Sequence, residues 1–456
     1  MSAADPLLLS RLQFAANISF HILFPMITIG LSWILLYFKI RYDRSNDSRW
    51  MNAYRLWVKI FALSFALGVV SGITMSFQFG TNWPGFMTTV GNVAGPLLAY
   101  EVLTAFFMEA TFLGIMLFGF QRVSNRVHTV ATALVAIGTS VSAFWILSLN
   151  SWMHTPAGFE MIDGVAHVTD WVAAIFNPSL GYRLAHTLMA SFITAAFLLA
   201  GISSYRWLRG DRTDSVRATL RTGVYMAAVL APLQIAVGGL HGLNTLEHQP
   251  AKIAAIEALW ETGRGAPLVL FAIPDEATQS NRLALSIPNG AAWILTHDPD
   301  GELQGINAFP DEHPPVGPVF FTFRIMVGTG LLMLASAWIG AWTLRRSGDL
   351  RDWLARAFVM MTFAGWLAVL SGWYTTEIGR QPFLVSGVLL TKDAITDVPG
   401  SSIAITLAGY LLLYVLLLAA YVSVVFYLAR QAGDSSAKKA AARAYGLSPL
   451  TRGPTP

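Results

Sequence analysis

Nine long apolar runs constrain this chain more than anything else in it. They cover residues 14–40, 57–80, 96–120, 130–149, 184–205, 223–240, 320–344, 357–374 and 403–428. As a helix, each is about long enough to cross a hydrocarbon layer of roughly 30 Å. Only helices and closed barrels satisfy their backbone groups in lipid, and these runs are too long and unbroken for barrel strands. Charged residues make up only 12% of the 456, against about 25% in soluble domains. The reading is an all-α integral membrane protein with nine transmembrane helices. The first run is too long, and lacks a small-residue cleavage site, for a removed signal peptide.

Charge placement orients the bundle. The loops after the odd-numbered spans are basic, with Lys39/Arg41/Arg44/Arg49/Arg55, Arg206/Arg209/Arg212/Arg217/Arg221 and Arg345/Arg346/Arg351/Arg356. The tail adds Arg430, Lys438, Lys439, Arg443 and Arg452, whereas 81–95 and 150–181 contain no Lys or Arg. The positive-inside rule puts the N-terminus outside and the C-terminus in the cytoplasm. The net charge of +4 is therefore a matter of topology, not of nucleic-acid binding. Residues 1–242 contain helices one to six, 243–318 an outer loop, 319–430 helices seven to nine, and 431–456 a cytoplasmic tail. The outer loop includes an amphipathic stretch at 250–262, and no internal repeat is evident.

The chain has no cysteine, which excludes disulfides, thiolate-held iron–sulfur clusters and covalent c-type haem. Ionisable residues in or at the ends of the spans are few, and His21, Glu101, Glu109, His186, Arg324 and Glu377 stand out. An ion at a span centre costs roughly 2.5–3.5 kcal/mol on insertion scales, so each needs a partner or a task. The topology puts His21, Glu101, His186, Met326 and Glu377 at one outer depth on five helices. A hydrogen bond between helices explains any one of them; a shared buried object explains the common depth. Haem is the natural object, since helical bundles hold it through His, Met or carboxylate. Arg324 at that depth calls for an anion, either a haem propionate or a carboxylate. Glu101 and Glu109, eight residues apart, occupy neighbouring parts of one helix face and suit an inward-to-outward proton relay. Glu377 and Arg380 face each other if their helix continues.

At these residues the chain resembles cytochrome bd oxidase subunit I, over about residues 10 to 430. The resemblance rests on Gln13-Phe14-Ala15 with Ser19-Phe20-His21-Ile22-Leu23-Phe24-Pro25, the Glu101/Glu109 pair, Asn150-Ser151-Trp152-Met153 with Thr155-Pro156-Ala157-Gly158, and His186. It continues through Glu247-His248-Gln249-Pro250-Ala251-Lys252 with Glu257, Phe323-Arg324-Ile325-Met326-Val327-Gly328, and Gly372-Trp373-Tyr374-Thr375-Thr376-Glu377-Ile378-Gly379-Arg380-Gln381-Pro382. The resemblance implies a haem-bearing bundle in a bacterial cytoplasmic (inner) membrane that oxidises quinol outside and reduces O2 to water with cytoplasmic protons.

It further implies two haem b and one haem d, the third being b instead in the cyanide-insensitive branch. His186 and Met326 would ligate a low-spin haem b; His21 and Glu377 would each ligate a high-spin haem, and Trp373 would line a cofactor. Lys252 and Glu257 match the quinol positions of the family's Q-loop, here 243–318. Glu101, Glu109, Arg324 and Arg380 would serve the chemistry. A second, haem-free membrane subunit and small single-span subunits are the partners the family implies. Phe383 replaces the usual Trp after Gln-Pro, and the loop lacks the long insertion of some members, features of the short-loop and cyanide-insensitive branches. The competing class is a secondary transporter with intramembrane charges, which would show internal repeats and a midplane site.

Overall fold

The computed structural model describes residues 5–444, with side chains through residue 434. Among these residues nine helical segments are long and apolar enough to cross a membrane. The first is α1 (Pro6–Ile22) and α2 (Pro25–Ser45); the second is α3 (Ser48–Thr81). The third joins α4 (Pro84–Glu101) to α5 (Phe107–Phe118) through one π-helical turn, Val102–Phe106, and the fourth is α6 (Asn125–His154). The fifth comprises α7 (Trp171–Ile175) and α8 (Leu180–Leu208), the sixth α9 (Asp214–His248). After the short helices α10 (Pro250–Glu257) and α11 (Gly290–Thr296) come α12 (Val316–Ser347), the pair α13 (Asp352–Met360) and α14 (Ala364–Ile378), and α15 (Gly400–Ala444). Of the basic tail, the side chains of Lys438, Lys439 and Arg443, and all of Arg452, lie outside the described residues.

Most helices run past the apolar runs that announced them, the third starting at Pro84 rather than near residue 96. Hydropathy marks the lipid-facing stretch, but a helix continues until something caps it. The Asp47 carboxylate caps α3, Ser124 caps α6 and Asp170 caps α7, each accepting from a backbone N–H of the first turn.

Proline breaks the first span where it matters. Pro25 has no N–H for the carbonyl of His21, four residues back, and its ring crowds that carbonyl. The Phe24 N–H takes it over at 3.2 Å, and the kink falls beside a predicted ligand. Aromatic packing holds the spans around it: Phe24, Trp57, Phe61, Leu198, Trp366 and Tyr421 belong to one buried core.

The loop at 243–318 is folded. The sixth helix continues into it to His248, and α10 covers only the first part of the amphipathic stretch. Strands Leu268–Asp275 and Ser280–Ile287 pair as an antiparallel hairpin. Ile253, Ile256, Trp260, Val269 and Ile306 form a small core with Val316, Val319 and Phe320 at the start of α12. The loop is thus seated on the seventh span by its own apolar surface.

Small residues let helices approach closely, as membrane packing requires. A Cβ on Gly30 of α2 would lie 2.7 Å from the Ser191 carbonyl oxygen and 2.9 Å from the Phe192 Cα of α8. Backbone cannot yield there, so Gly30→Val should destabilise the protein by about 1–3 kcal/mol. Gly330→Ala, whose added Cβ meets nothing within 4 Å, should be nearly neutral. Thermal unfolding of both in detergent checks the contrast.

Candidate functional site

Glu377, one residue from the end of α14, is the most heavily bonded of the predicted ligands. Its Oε1 accepts from Asn150 Nδ2 at 2.9 Å and faces His154 Nε2 at 3.4 Å; its Oε2 accepts from Arg380 Nη2 at 2.5 Å. The helix ends just after Glu377 instead of continuing, and the turn at Gly379 still brings Arg380 back onto it. Arg380 keeps two buried donors, Nε and Nη1, without a partner.

His154, which the sequence reading passed over, joins Glu377 to the outer loop. Gln249 Oε1 accepts from Lys252 Nζ at 2.8 Å and from Arg183 Nη2 at 3.5 Å. An arginine only donates, so the oxygen of Gln249 is fixed and its Nε2 donates to His154 Nδ1 at 3.3 Å. Lys252 Nζ reaches the same Nδ1 at 3.2 Å. His154 thus carries its proton on Nε2 and donates it to Glu377. Lys252 is buried, and burial first, then the Arg183 guanidinium, hold its ammonium well below the ordinary lysine range.

The other loop residue points elsewhere. Glu257, at the end of α10, accepts from Arg324 Nη2 at 3.1 Å. Arg324 also donates to the carbonyls of Val269 (2.6 Å from Nη2) and Ile256, and stacks 3.6 Å over Phe320. The carboxylate of Glu257 is one of the two anions that Arg324 called for. Burial pushes the Glu257 carboxyl up, and Arg324 opposes that shift. Lys252 and Glu257 therefore share a short helix but serve two different clusters.

Three candidate ligands each face a glycine. A Cβ on Gly72 would lie 3.1 Å from His21 Cε1, one on Gly238 3.2 Å from His186 Cε1, and one on Gly372 2.8 Å from Met326 Sδ. The Ser71 hydroxyl donates to the Leu67 carbonyl at 2.7 Å and accepts from His21 Nδ1 at 3.0 Å. That arrangement leaves His21 Nε2 with a free lone pair, as a metal-ligating histidine needs. His186 Nδ1 is buried without a partner, and the His241 ring lies 5.7 Å away, centroid to centroid. No three His, Cys, Asp or Glu side chains converge as a metal-ion set among the described residues. The donors are instead spread singly over helices. Trp373 is half-buried on α14.

A π-helical turn, Val102–Phe106, lies between the two glutamates. In a regular α-helix, eight residues would rotate Glu109 about 80° away from Glu101. The wide turn between them absorbs about one residue and brings both onto α6. Glu101 Oε1 accepts from Ser142 at 2.7 Å, and a Cβ on Gly138, one turn away, would lie 2.7 Å from Glu109 Cγ. Glu109 Oε1 is buried with no partner. Among the described residues no hydrogen bond joins His21 or the two glutamates to the Glu377 cluster or to one another.

Arg183, His154 and Gln249 were legible only in part. Arg183 adjoins an apolar run and His154 closes one, so both read as helix-end polarity. Without His154, Lys252 and Glu377 each lose a buried partner. His154→Leu should cost about 1–3 kcal/mol of stability, and His154→Gln, which keeps a donor and an acceptor, should recover most of it; thermal denaturation of the two variants is the check.

Residues 9–433 match the family described as cytochrome bd terminal oxidase subunit I. Cytochrome bd ubiquinol oxidase subunit 1 of Bacillus subtilis (strain 168) is 33% identical, over 90% of this chain and 91% of that protein. Cytochrome bd-II ubiquinol oxidase subunit 1 of Escherichia coli (strain K12) is 32% identical, over 92% and 95%. The bd oxidase structure from Geobacillus thermodenitrificans superimposes with a TM-score of 0.88 at 31% identity, covering 94% of this chain and all of that one. The transporter alternative finds no support among these relatives.

Proposed function

From the premise that the chain belongs to the cytochrome bd terminal oxidase subunit I family, we propose how its residues divide the work of a quinol-oxidising terminal respiratory oxidase. Haem is the cofactor the family implies, and the residues fit it. Each of His21, His186 and Met326 has a facing glycine, His21 presents a free nitrogen, and Arg380 has two spare buried donors for a propionate. That matching of ligand to glycine is the observation that carries the reading. Bound there, haem iron supplies one-electron carriage and the oxygen-binding position.

His186 and Met326 would together hold one low-spin haem b, which would carry electrons. His21 and Glu377 each hold one high-spin haem, one of type b and one of type d or b. Asn150, His154 and Arg380 fix the Glu377 carboxylate in one orientation, which is what outer partners of a metal ligand do.

Quinol, the substrate in the relatives' names, binds at α10. Lys252, its proton affinity lowered by burial, offers a free amine as base. Glu257, poised by burial against Arg324, takes the second proton. Glu109 and then Glu101, aligned on α6 by the π-helical turn, pass protons from the cytoplasmic side toward the oxygen-reducing pocket. The N-terminus lies outside and the tail in the cytoplasm of a bacterial inner membrane. A haem-free second subunit, with small single-span subunits, completes the complex.

His186→Ala should convert the low-spin spectrum to high-spin and stop quinol-driven turnover; unchanged low-spin content would overturn the assignment. Glu109→Gln keeps the shape and removes the proton exchange. It should slow oxygen reduction by about a hundredfold while the low-spin haem still reduces normally, as stopped-flow spectroscopy can follow.

A further inference from the structure

The seam between α1 and α3 carries, beside the proposed ligand His21, polar side chains that the haem and quinol sites do not use. Along α1, Ser10, Gln13, Asn17 and His21 recur every three or four residues and share one face. Along α3, Ser71, Thr74 and Gln78 do the same, and Asn82 caps the helix. The two rows meet. Asn82 Nδ2 donates to Gln13 Oε1 at 2.8 Å, Gln13 Nε2 to Thr406 at 3.0 Å, Thr74 to Asn17 Oδ1 at 3.2 Å, and His21 Nδ1 to Ser71 at 3.0 Å. Tyr414 of α15 closes the side, donating to Asn17 Oδ1.

Between the outer pair, Gln13 and Asn82, and the inner pair, Asn17 and Thr74, sits Gln78. It is 2% exposed, with neither end of its amide partnered. Ser10 Oγ and Asn17 Nδ2 are likewise buried and without a protein partner. A packing motif between helices would satisfy its own amides; these stand in line with donors and acceptors left over. At the far end, Asn82 Oδ1 accepts at 2.8 Å from Thr81, an exposed residue, as is Thr406. From His21 to Gln13 the row spans about 12 Å.

We infer that this seam is a hydrated passage whose ligand is a file of water molecules, linking the His21 pocket to the protein surface at Thr81 and Thr406. Gln78 and Asn17 supply the buried donors and acceptors that hold the file, since a buried water needs two to four polar partners. Its use rests on the reading of His21 as a haem ligand: oxygen reduction makes water in a pocket walled by apolar helices, and that water leaves along the seam. Hydration of the seam does not depend on that reading.

Microsecond hydroxyl-radical footprinting of the purified oxidase complex, read by mass spectrometry, tests both parts. Tyr414 is 7% exposed and Tyr421, bonded to Ser64, is 1% exposed. Bulk access is denied to both, so only local water labels them. Tyr414 should be oxidised at least fivefold faster than Tyr421, and Gln78→Leu should remove that excess with haem content unchanged. Equal protection of the two tyrosines would overturn the passage, and this wild-type comparison decides even if Gln78→Leu does not assemble. A labelled seam with wild-type turnover in Gln78→Leu would leave the water in place and overturn its role in product exit. Loss of the passage is separable from failure of the ligand assignment, because the spectrum of His21→Ala reads the latter directly.

Discussion

The carboxylate of Glu377 receives hydrogen bonds from Asn150 and His154 on one oxygen and from Arg380 on the other. In water these contacts would be worth little, because solvent would replace them. Inside an apolar bundle an unpartnered ion or amide is costly, so the same contacts dictate which helices lie side by side. Asn150 and His154 tie the fourth span to the eighth, and Lys252 and Gln249 tie the outer loop to both. The loop's position is thus set twice, by its apolar core on α12 and by a buried lysine with no other place to go.

This economy explains how one short helix serves two clusters. Lys252 and Glu257 are five residues apart on α10, so their side chains diverge, one toward His154 and the other toward Arg324. A substrate seated against α10 would touch a base on each side and disturb two different clusters: Glu377 through His154, and Arg324 through Glu257. Coupling between the loop and the bundle therefore needs no moving domain, only displacement of hydrogen bonds already under strong constraint.

Much of this was legible in the residues. The nine spans could be read because hydrophobic length is a local property, and the rare intramembrane His, Glu and Arg stood out against it. Helix ends were not legible, since caps such as Asp47 and Asp170 lie outside the apolar runs. Nor was the π-helical turn. Val102-Leu103-Thr104-Ala105-Phe106 contains nothing that disfavours an α-helix, and only the packing against α6 shows the altered phase. His154 was missed for a similar reason. A histidine at a span end has water as its default partner, and only the approach of α10 and α14 removes that water.

The glycines show why the candidate site depends on what is small as much as on what is reactive. A ligand residue can be found by its chemistry, but space beside it has no chemical signature. Gly72, Gly238 and Gly372 lie on the second, sixth and eighth spans, far from His21, His186 and Met326 in sequence, and each comes opposite one of them only after folding. Gly138 does the same for Glu109. An alanine at any of these positions would bring a methyl group to about 3 Å or less from the functional atoms. The bundle would either spread there or push the side chain from its place. Helix-packing glycines such as Gly30, by contrast, face backbone. The same residue type therefore has two tasks in this fold, and the atom opposite its missing Cβ tells them apart.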